Sequence, residues 1–279
     1  GSARGSTSPI LSPAGASTRS TMTQNRSGIE PIALADLASA VQLGDRELVS
    51  LVGGGGKTTL LFTLARRSGP RAIVTTTTKM GRDQTGGLPV LDGPTDDQIG
   101  GALDEHRAVL VRRRVAGTKV AGVDGPTCDR WFDPASGLAA NHVLVEADGS
   151  RQLPFKAPRP LEPVIPSRTT LLIACVGAGA LGRVIADACH RPLRLAAVAG
   201  CSPYQRLTPE RLAAVLASER GSRKNCPPQA RYVVVINQVT DRHLPFVGDL
   251  AGVIGSAFPI VAVAADEDLG RATMTAGNR

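Results

Sequence analysis

The sequence has few aromatic residues: Phe, Trp and Tyr make up 3% of its 279 residues, although 42% of the chain is apolar. A core must therefore be built from Val, Leu, Ile and Ala, which suits the buried strands of a parallel sheet. The five cysteines are odd in number and include no CxxC pair. This usage predicts neither a disulfide framework nor a zinc site, and it is typical of a reducing cytoplasm.

Long apolar runs and clustered charges are also lacking. No stretch approaches the roughly 20 apolar residues of a membrane span, and the first 21 residues contain no apolar signal-peptide core. The formal net charge is +8, but residues 112–114 (RRR) are the only tight basic run, and no nucleic-acid-binding module accompanies them. We therefore expect a cytoplasmic protein with neither a membrane nor a nucleic-acid partner.

The most informative pattern present is a glycine run between an apolar strand-like segment and a helix-like one. The run and the polar residues after it are Gly53, Gly54, Gly55, Gly56, Lys57, Thr58 and Thr59. Glycine amides and a helix N-terminus bind phosphate oxygens, the lysine reaches the β- and γ-phosphates, and the next hydroxyl ligates Mg²⁺. The sequence therefore predicts a phosphate-binding loop with Mg²⁺ and ATP or GTP as its cofactors.

One position departs from the full pattern of such loops. That pattern has a glycine six residues before the lysine, where this chain has Leu51. We expect a leucine at this position to make the entry to the loop narrower and less flexible than a glycine would. Phosphate binding is for this reason a firmer prediction than hydrolysis.

A second strand end carries two carboxylates. The apolar residues 143–145 are followed by Glu146 and Asp148, which lie on one face of an extended chain. Asp148 is the better candidate for a Mg²⁺ ligand, together with Thr58, and Glu146 the better candidate for orienting water or ligand, although the two roles can be exchanged. Lys57, Asp148 and Glu146 are thus the candidate catalytic residues, with an ordinary acidic turn as the alternative.

Residues 75–79 (TTTTK) leave another strand. Ligands of doubly wound sheets bind outside the carboxyl ends of the strands, so Thr77 and Lys79 are candidates for contact with phosphate or Mg²⁺. Strand-forming threonines followed by a solvated lysine are an equally good interpretation. Likewise, Arg151, Lys156 and Arg159 either grip an anionic substrate or are ordinary surface charges.

Two further patterns are weaker. Residues 177–182 match GxGxxG, but the acidic residue that a dinucleotide site needs about 20 residues later is missing. A nicotinamide-dependent enzyme is therefore a minor alternative. Asn237 and Asp241 follow a late strand in the way of guanine-reading NTPases, and Asn237 is a candidate for contact with a nucleotide base. His190 is a lone histidine, and such residues are more often structural than catalytic.

Strand-like and helix-like segments alternate along the chain, which predicts a doubly wound, mostly parallel α/β sheet of P-loop NTPase type. We expect one domain over residues 31–270, a disordered or added lead over 1–30 and a flexible tail over 271–279. In detail, we predict a helix over 31–43, a first post-loop helix with Gly69 as its C′ residue after Arg66 and Arg67, loops over 112–137 and a helix from Pro209 to Gly221.

Three segments together resemble a known family: residues 52–59 (VGGGGKTT), 74–80 (VTTTTKM) and 145–151 (VEADGSR). Further matching stretches are residues 156–158, 162–166, 190–192 and 237–239. The resemblance covers about residues 31–270 and is to the YqeC-type family of selenium cofactor biosynthesis, accessory proteins of selenium-dependent molybdenum hydroxylases. It implies a P-loop NTPase-like cytoplasmic protein that takes part in maturing these enzymes.

Two functions remain open from the sequence. The first is an ATP- or GTP-dependent accessory enzyme, in which the glycine loop and the carboxylates organise Mg²⁺ and nucleotide. The second is a non-hydrolysing module that carries a phosphate-bearing cofactor, such as a molybdopterin nucleotide, to a hydroxylase partner.

Overall fold

A computed structural model describes residues 28–113 and 119–265, besides the first residue. The predicted lead (1–30) and tail (271–279) lie almost wholly outside this range. The strands are β1 (Glu47–Gly53), β2 (Ala72–Thr76), β3 (Met80–Gly81), β4 (Val90–Asp92), β5 (Ala108–Arg112), β6 (Lys119–Val120), β7 (His142–Glu146), β8 (Phe155–Lys156), β9 (Leu171–Gly177), β10 (Cys189–His190), β11 (Arg231–Val239) and β12 (Ile260–Ala264). The helices are α1 (Leu37–Ala40), α2 (Lys57–Arg67), α3 (Asp96–Glu105), α4 (Gly125–Phe132), α5 (Ile185–Ala188), α6 (Pro192–Ala199), α7 (Pro209–Ala217) and α8 (Leu244–Ile254).

Eight of these strands form one sheet in the order β12-β11-β9-β1-β7-β2-β5-β4, and every neighbouring pair is parallel. The strand that carries the glycine run, β1, lies between β7 and β9 near the centre of the sheet. Parallel strands near a sheet centre are buried on both faces, which explains why β1 is buried along its whole length.

Helices cover both faces of the sheet. Successive side chains of β1 alternate between two separate apolar clusters: Leu48 packs in one, and Val49 in the other. Helix α2 contributes to the Val49 cluster, whereas α3, α4 and α6 to α8 contribute to the Leu48 cluster. The predicted doubly wound α/β architecture is confirmed.

Several predicted helix boundaries are wrong. The segment 31–43 forms only a 3-10 turn and the short α1, because Ile32 is extended and bridges Val263 beside the edge strand β12. Helix α7 ends at Ala217 rather than Gly221, because Ser218 adopts an extended backbone. Helix α2, by contrast, ends at Arg67 with Ser68 as its C-cap, so Gly69 occupies the C′ position predicted for it.

The predicted loop over 112–137 contains helix α4. Its start is specified locally, because the Asp124 side chain accepts a hydrogen bond from the Thr127 amide and a proline follows in the first turn. The spacing of Thr95 and Gln98 in the sequence is typical of a capping box, and the structure shows both of its hydrogen bonds at the start of α3. The proline-rich segment 154–166 contains the two-residue strand β8, which pairs with β10 in a small separate sheet.

Candidate functional site

A cleft of about 1240 Å³ opens at the carboxyl ends of the central strands. Its lining includes the start of α2, the segments after β2, β7 and β8, and His190 with Arg191 just before α6. Because carboxyl ends of parallel strands meet at one edge of a sheet, the fold gathers residues from distant parts of the sequence here. The start of α2 therefore shares one cleft with three of its predicted partners, Thr77, Lys79 and Glu146.

The glycine loop begins later than the full pattern would have it. Leu51 is fully buried within β1 and packs in the apolar cluster of α2, so the backbone turns only at Gly53, whose φ is +99°. The Gly54 amide donates to the carbonyl of Cys175 (3.0 Å) and the Gly55 amide to that of Leu153 (3.3 Å). The amides of these two glycines thus face protein rather than the cleft.

The loop is held by very close packing. A Cβ atom added to Gly55 would lie 2.0 Å from the backbone nitrogen of Gly177, and the φ of Gly55 is +70°. Gly177 itself is needed for this approach, since a Cβ there would lie 2.8 Å from the Gly55 Cα. A 3-10 turn, Ala178–Ala180, follows β9 in place of the α-helix that a dinucleotide fingerprint opens. Of the GxGxxG glycines, Gly177 thus serves the packing of the glycine loop, whereas a Cβ atom at Gly182 would meet nothing within 4 Å.

Asn237 completes the support of the loop. Its side chain is 5% exposed, donates through Nδ2 to the Gly55 carbonyl (3.0 Å), and accepts a hydrogen bond from the Gln238 amide. Both polar ends of the amide are therefore occupied. Contact of Asn237 with a nucleotide base stays a prediction, whereas the structure shows the residue positioning the loop. Asp241 lies in an exposed 3-10 turn beyond this point.

The first turn of α2 faces the cleft. Gly56, Lys57, Thr58 and Thr59 all line it, and their backbone N–H groups have no hydrogen-bond acceptor within the described residues. An α-helix leaves its first amides without partners, and its dipole adds positive potential at the same place. Amides free to meet an anion are thus present at Gly56 and the helix start, whereas the amides of Gly53, Gly54 and Gly55 are bonded within the protein.

Three side chains meet at this helix start. The Thr58 hydroxyl donates to Glu146 Oε2 (2.8 Å), and Lys57 Nζ lies 3.9 Å from Glu146 Oε1. Burial disfavours the charged form of Glu146 and raises its pKa above the usual range, even though Lys57 and Thr58 act in the opposite direction. The carboxylate of Glu146 is therefore only partly satisfied by protein groups.

Asp148 lies beneath the loop, 2% exposed. Its two oxygens accept hydrogen bonds from the Gly53 amide (3.1 and 3.2 Å), and they lie 3.3 Å from Lys57 Nζ and 3.0 Å from Lys156 Nζ. Burial lowers the pKa of Lys57, but Asp148 and Glu146 outweigh it and raise the value, so the ammonium stays charged. Of the two carboxylates, Glu146 rather than Asp148 lines the cleft. The catalytic and metal roles of these residues remain predictions.

A chain of ion pairs continues from Asp148 across the floor of the cleft. Lys156, 2% exposed, contacts Asp148, the Gly149 carbonyl (2.8 Å) and Glu162 (3.0 Å), so it is not available to grip a substrate. Glu162 also accepts two hydrogen bonds from Arg191 (2.7 and 3.2 Å). Burial by itself would raise the pKa of Glu162, but the bonds from Arg191 and Lys156 lower it to about 2.

The threonine run is divided between core and cleft. Thr75 and Thr76 are buried and donate to the carbonyls of Val111 (2.8 Å) and Glu146 (2.9 Å). Thr77 lines the cleft and donates to the carbonyl of Val164 (2.7 Å). Lys79 lines the cleft, and its side chain is exposed. Only the end of the run is therefore placed to meet a ligand.

Sequence reasoning gave no role to Glu162 or Arg191, which form the other end of the ion chain. The pairing of β8 with β10, which aligns Lys156 with His190, brings them together across 29 residues of sequence. No local pattern indicates this pairing, because both strands are only two residues long. The only available signal was their position in stretches that match the resembled family.

Other expectations concern the rest of the chain. Arg112 of the basic run is 4% exposed and pairs with Asp92, so it does not belong to a basic surface patch. Within residues 28–113 and 119–265, no helix has both the length and the apolar character to cross a membrane. The same residues contain no cluster of three or more His, Cys, Asp or Glu side chains suited to hold a metal ion.

Comparison with known proteins identifies the family of this chain. A family model described as YqeC protein matches residues 49–193, which contain the glycine loop, Glu146, Asp148, Lys156, Glu162 and Arg191. A relative from Escherichia coli (strain K12), named "Uncharacterized protein YqeC", is 31% identical over 236 residues, covering 76% of this chain and 83% of the relative. The chain therefore belongs to the YqeC family.

Proposed function

We propose that this protein binds Mg²⁺ with ATP or GTP in the central cleft and serves as a nucleotide-dependent accessory factor. The observation that carries the proposal is the first turn of α2. There, four backbone amides without acceptors face the cleft beside the Lys57 ammonium and the Thr58–Glu146 hydrogen bond. Unbonded amides, a helix N-terminus and a lysine in one place form an anion site.

The residues present suit a triphosphate with its metal ion. The amides of Gly56, Lys57 and Thr58 would hold phosphate oxygens, and Lys57 would add a charge that its carboxylate neighbours keep in place. Thr58 and Glu146 would hold Mg²⁺, which takes one or two protein oxygens and completes its shell with phosphate oxygens and water. When bound, Mg²⁺ would neutralise negative charge of the triphosphate.

Nucleotide binding is tested by titrating Mg·ATP and Mg·GTP into the purified protein and measuring heat and phosphate release. Lys57→Ala should weaken binding by at least about tenfold, the effect of losing one charge-assisted hydrogen bond. Thr58→Val and Thr59→Val form a matched pair: the first removes the hydroxyl that contacts Glu146, and the second removes an exposed one. We expect Mg²⁺-dependent binding to weaken in the first variant alone. Absence of nucleotide binding by the wild type would contradict the proposal.

The second candidate is a binding module that holds a phosphate-bearing cofactor without turnover. The observation in its favour is Asp148, whose oxygens are taken by the loop and two lysines, so Glu146 is the single carboxylate beside the helix start. Tight nucleotide or cofactor binding without phosphate release would support this candidate over hydrolysis. Phosphate release that Glu146→Gln abolishes would support the enzyme.

We further propose that the process served is the maturation of a molybdenum hydroxylase or its cofactor. Support comes from the segments 52–59, 74–80 and 145–151, which carry the resemblance to accessory proteins of this kind. Hydroxylase activity in cells that lack the protein, restored by the wild type but not by Lys57→Ala, tests the link. Normal hydroxylase activity without the protein would contradict it.

A further inference from the structure

The cleft extends well beyond the phosphate loop. Its volume of about 1240 Å³ exceeds the 300–1,000 Å³ of most small-molecule sites, so there is room for a second ligand beside a nucleotide. Its far wall is formed by the segments after β7, β8 and β10. The charged residues that line the cleft are the cationic Lys57, Lys79, Arg151, Arg159 and Arg191 and the acidic Asp83, Glu146 and Glu162.

The far end of the cleft has an excess of positive charge. Arg159 (Nε–Oε1 2.9 Å) and Arg191 (2.7 Å) both pair with the single carboxylate of Glu162, which Lys156 contacts as well. Lys156 is balanced from its other side by Asp148. One carboxylate therefore faces two guanidinium groups, and it cannot neutralise both of them.

Arg151 increases this excess. It lines the cleft, its side chain is exposed, and it contacts no carboxylate among the described residues. Its backbone has a φ of +53°, a conformation that non-glycine residues rarely adopt, and Gln152 follows with +63°. The turn at these two residues directs the chain from the end of β7 along the cleft wall.

The pKa of His190 is affected by the same positive charges. It lines the cleft between Lys156 and Arg191, and burial is the largest cause that lowers its pKa, followed by the charges of Arg191, Lys156 and Arg151. The imidazole is thus neutral at physiological pH and able to accept or donate a hydrogen bond, while the net charge around it comes from the arginines. An anion bound at this place would be stabilised by a hydrogen bond from the imidazole and by the positive charge of the arginines.

We propose that the far end of the cleft is a second anion subsite, in which Arg151, Arg159 and Arg191 bind a phosphate-bearing small molecule while a nucleotide occupies the start of α2. A guanidinium group can donate two parallel hydrogen bonds to phosphate oxygens. The three arginines exceed the carboxylate of Glu162 by two positive charges. This excess matches the charge of a phosphate dianion, whereas a ligand with one carboxylate would neutralise only half of it. The inference rests on the proposed function, since it assigns the second ligand of the same cleft.

Inorganic phosphate is the probe, measured by titration calorimetry. The nucleotide-free wild type should bind two phosphates per chain, one at each end of the cleft. Lys57→Ala should retain the far site, and the double variant Arg151→Gln, Arg159→Gln should retain the loop site. With the loop filled by Mg·ADP, phosphate should bind once to the wild type and at least about tenfold more weakly to the double variant.

The matched control is Arg67→Gln, Arg220→Gln, which removes the same charge from exposed positions outside the cleft. Arg151→Gln alone serves as a second variant, because within residues 28–113 and 119–265 no carboxylate would lose an ion-pair partner. Phosphate affinity that is unchanged in the double variant, or equally reduced in the control, would overturn the subsite. Failure of the proposed function looks different: no nucleotide binds to the wild type, whereas Arg151→Gln, Arg159→Gln still removes one phosphate.

Discussion

Two glutamates at opposite ends of the cleft have opposite environments. Glu146 faces the phosphate-loop end with a threonine hydroxyl at 2.8 Å and one lysine at 3.9 Å, and burial raises its pKa. Glu162, at the arginine end, is contacted by Lys156, Arg159 and Arg191, and its pKa is lowered to about 2. A carboxylate with few hydrogen-bond and ion-pair partners, such as Glu146, can gain a cation when a ligand binds. A carboxylate whose oxygens are already paired with cations, such as Glu162, instead stabilises the fold.

The largest effect should follow from Glu162→Gln. This change leaves the buried ammonium of Lys156 and two guanidinium groups without their common carboxylate. Because removing one partner of a buried ion pair leaves an uncompensated charge, we expect a loss of about 3 kcal/mol in the free energy of unfolding, measured by urea titration. The control, Glu219→Gln at an exposed position, should change it by less than about 0.5 kcal/mol. Equal stability of the two variants would contradict a structural role for Glu162.

The contribution of the Glu162 carboxylate to stability should depend on pH. The pKa of Glu162 is about 2 in the folded chain and 4.5 ordinarily, so its contribution is fully present above pH 4.5 and is lost as pH falls towards 2. The stability difference between wild type and Glu162→Gln should therefore shrink over this range, in urea titrations at several pH values. A difference that stays constant with pH would show that the carboxylate charge is not its source.

Glu146→Gln should behave in the opposite way. Since the folded protein disfavours the Glu146 carboxylate, stability falls as pH rises from 4.5 through its raised pKa, and the amide should leave the ligand-free protein no less stable at neutral pH. Affinity for Mg·ATP or Mg·GTP should fall by about tenfold, a loss of about 1.4 kcal/mol. Glu105→Gln, an exposed carboxylate of α3, is the control. Unchanged Mg·nucleotide affinity in Glu146→Gln would remove Glu146 from the site.

The smallest effect should come from Asn237→Ala. It removes the hydrogen bond to the Gly55 carbonyl, for which we expect a loss of about 1 kcal/mol in unfolding free energy and a comparable loss in nucleotide affinity. The ratio of ATP to GTP affinity should not change if Asn237 positions the loop. A changed ratio would instead support the prediction that it contacts the base. Asn141→Ala, which removes one side-chain hydrogen bond to the Pro70 carbonyl, is the control.

Much of the fold was predictable because its signals are local. Short apolar runs such as residues 171–176 and 232–236 favour buried strands, and Thr95 carries the start signal of α3 within four residues. Helix ends were predicted less well. Gly69 occupies its predicted C′ position after α2, but extended backbone at Ser218 ends α7 before Gly221. Helix α4 was missed, although Asp124 and the proline after it mark its start.

The candidate site was predictable only in part, since residue type does not tell which atoms are already bonded. Gly53, Gly54 and Gly55 were expected to cradle phosphate, but the Gly53 amide bonds Asp148 and the next two bond carbonyls of neighbouring segments. Lys156 was considered for substrate binding, yet it lies between two carboxylates. Such assignments depend on contacts between residues that are far apart in the sequence.

The sequence by itself determined the doubly wound sheet, the family, and the presence of a glycine loop followed by Lys57 and Thr58. These follow from periodicity and from a contiguous motif, whose physical basis is local backbone conformation and burial. Only the tertiary structure decided that Glu146 faces the cleft, that Asp148 anchors the loop, and that an arginine-rich end lies opposite. Those assignments arise from the alignment of β1, β7 and β9 and from the pairing of β8 with β10, which no local segment specifies.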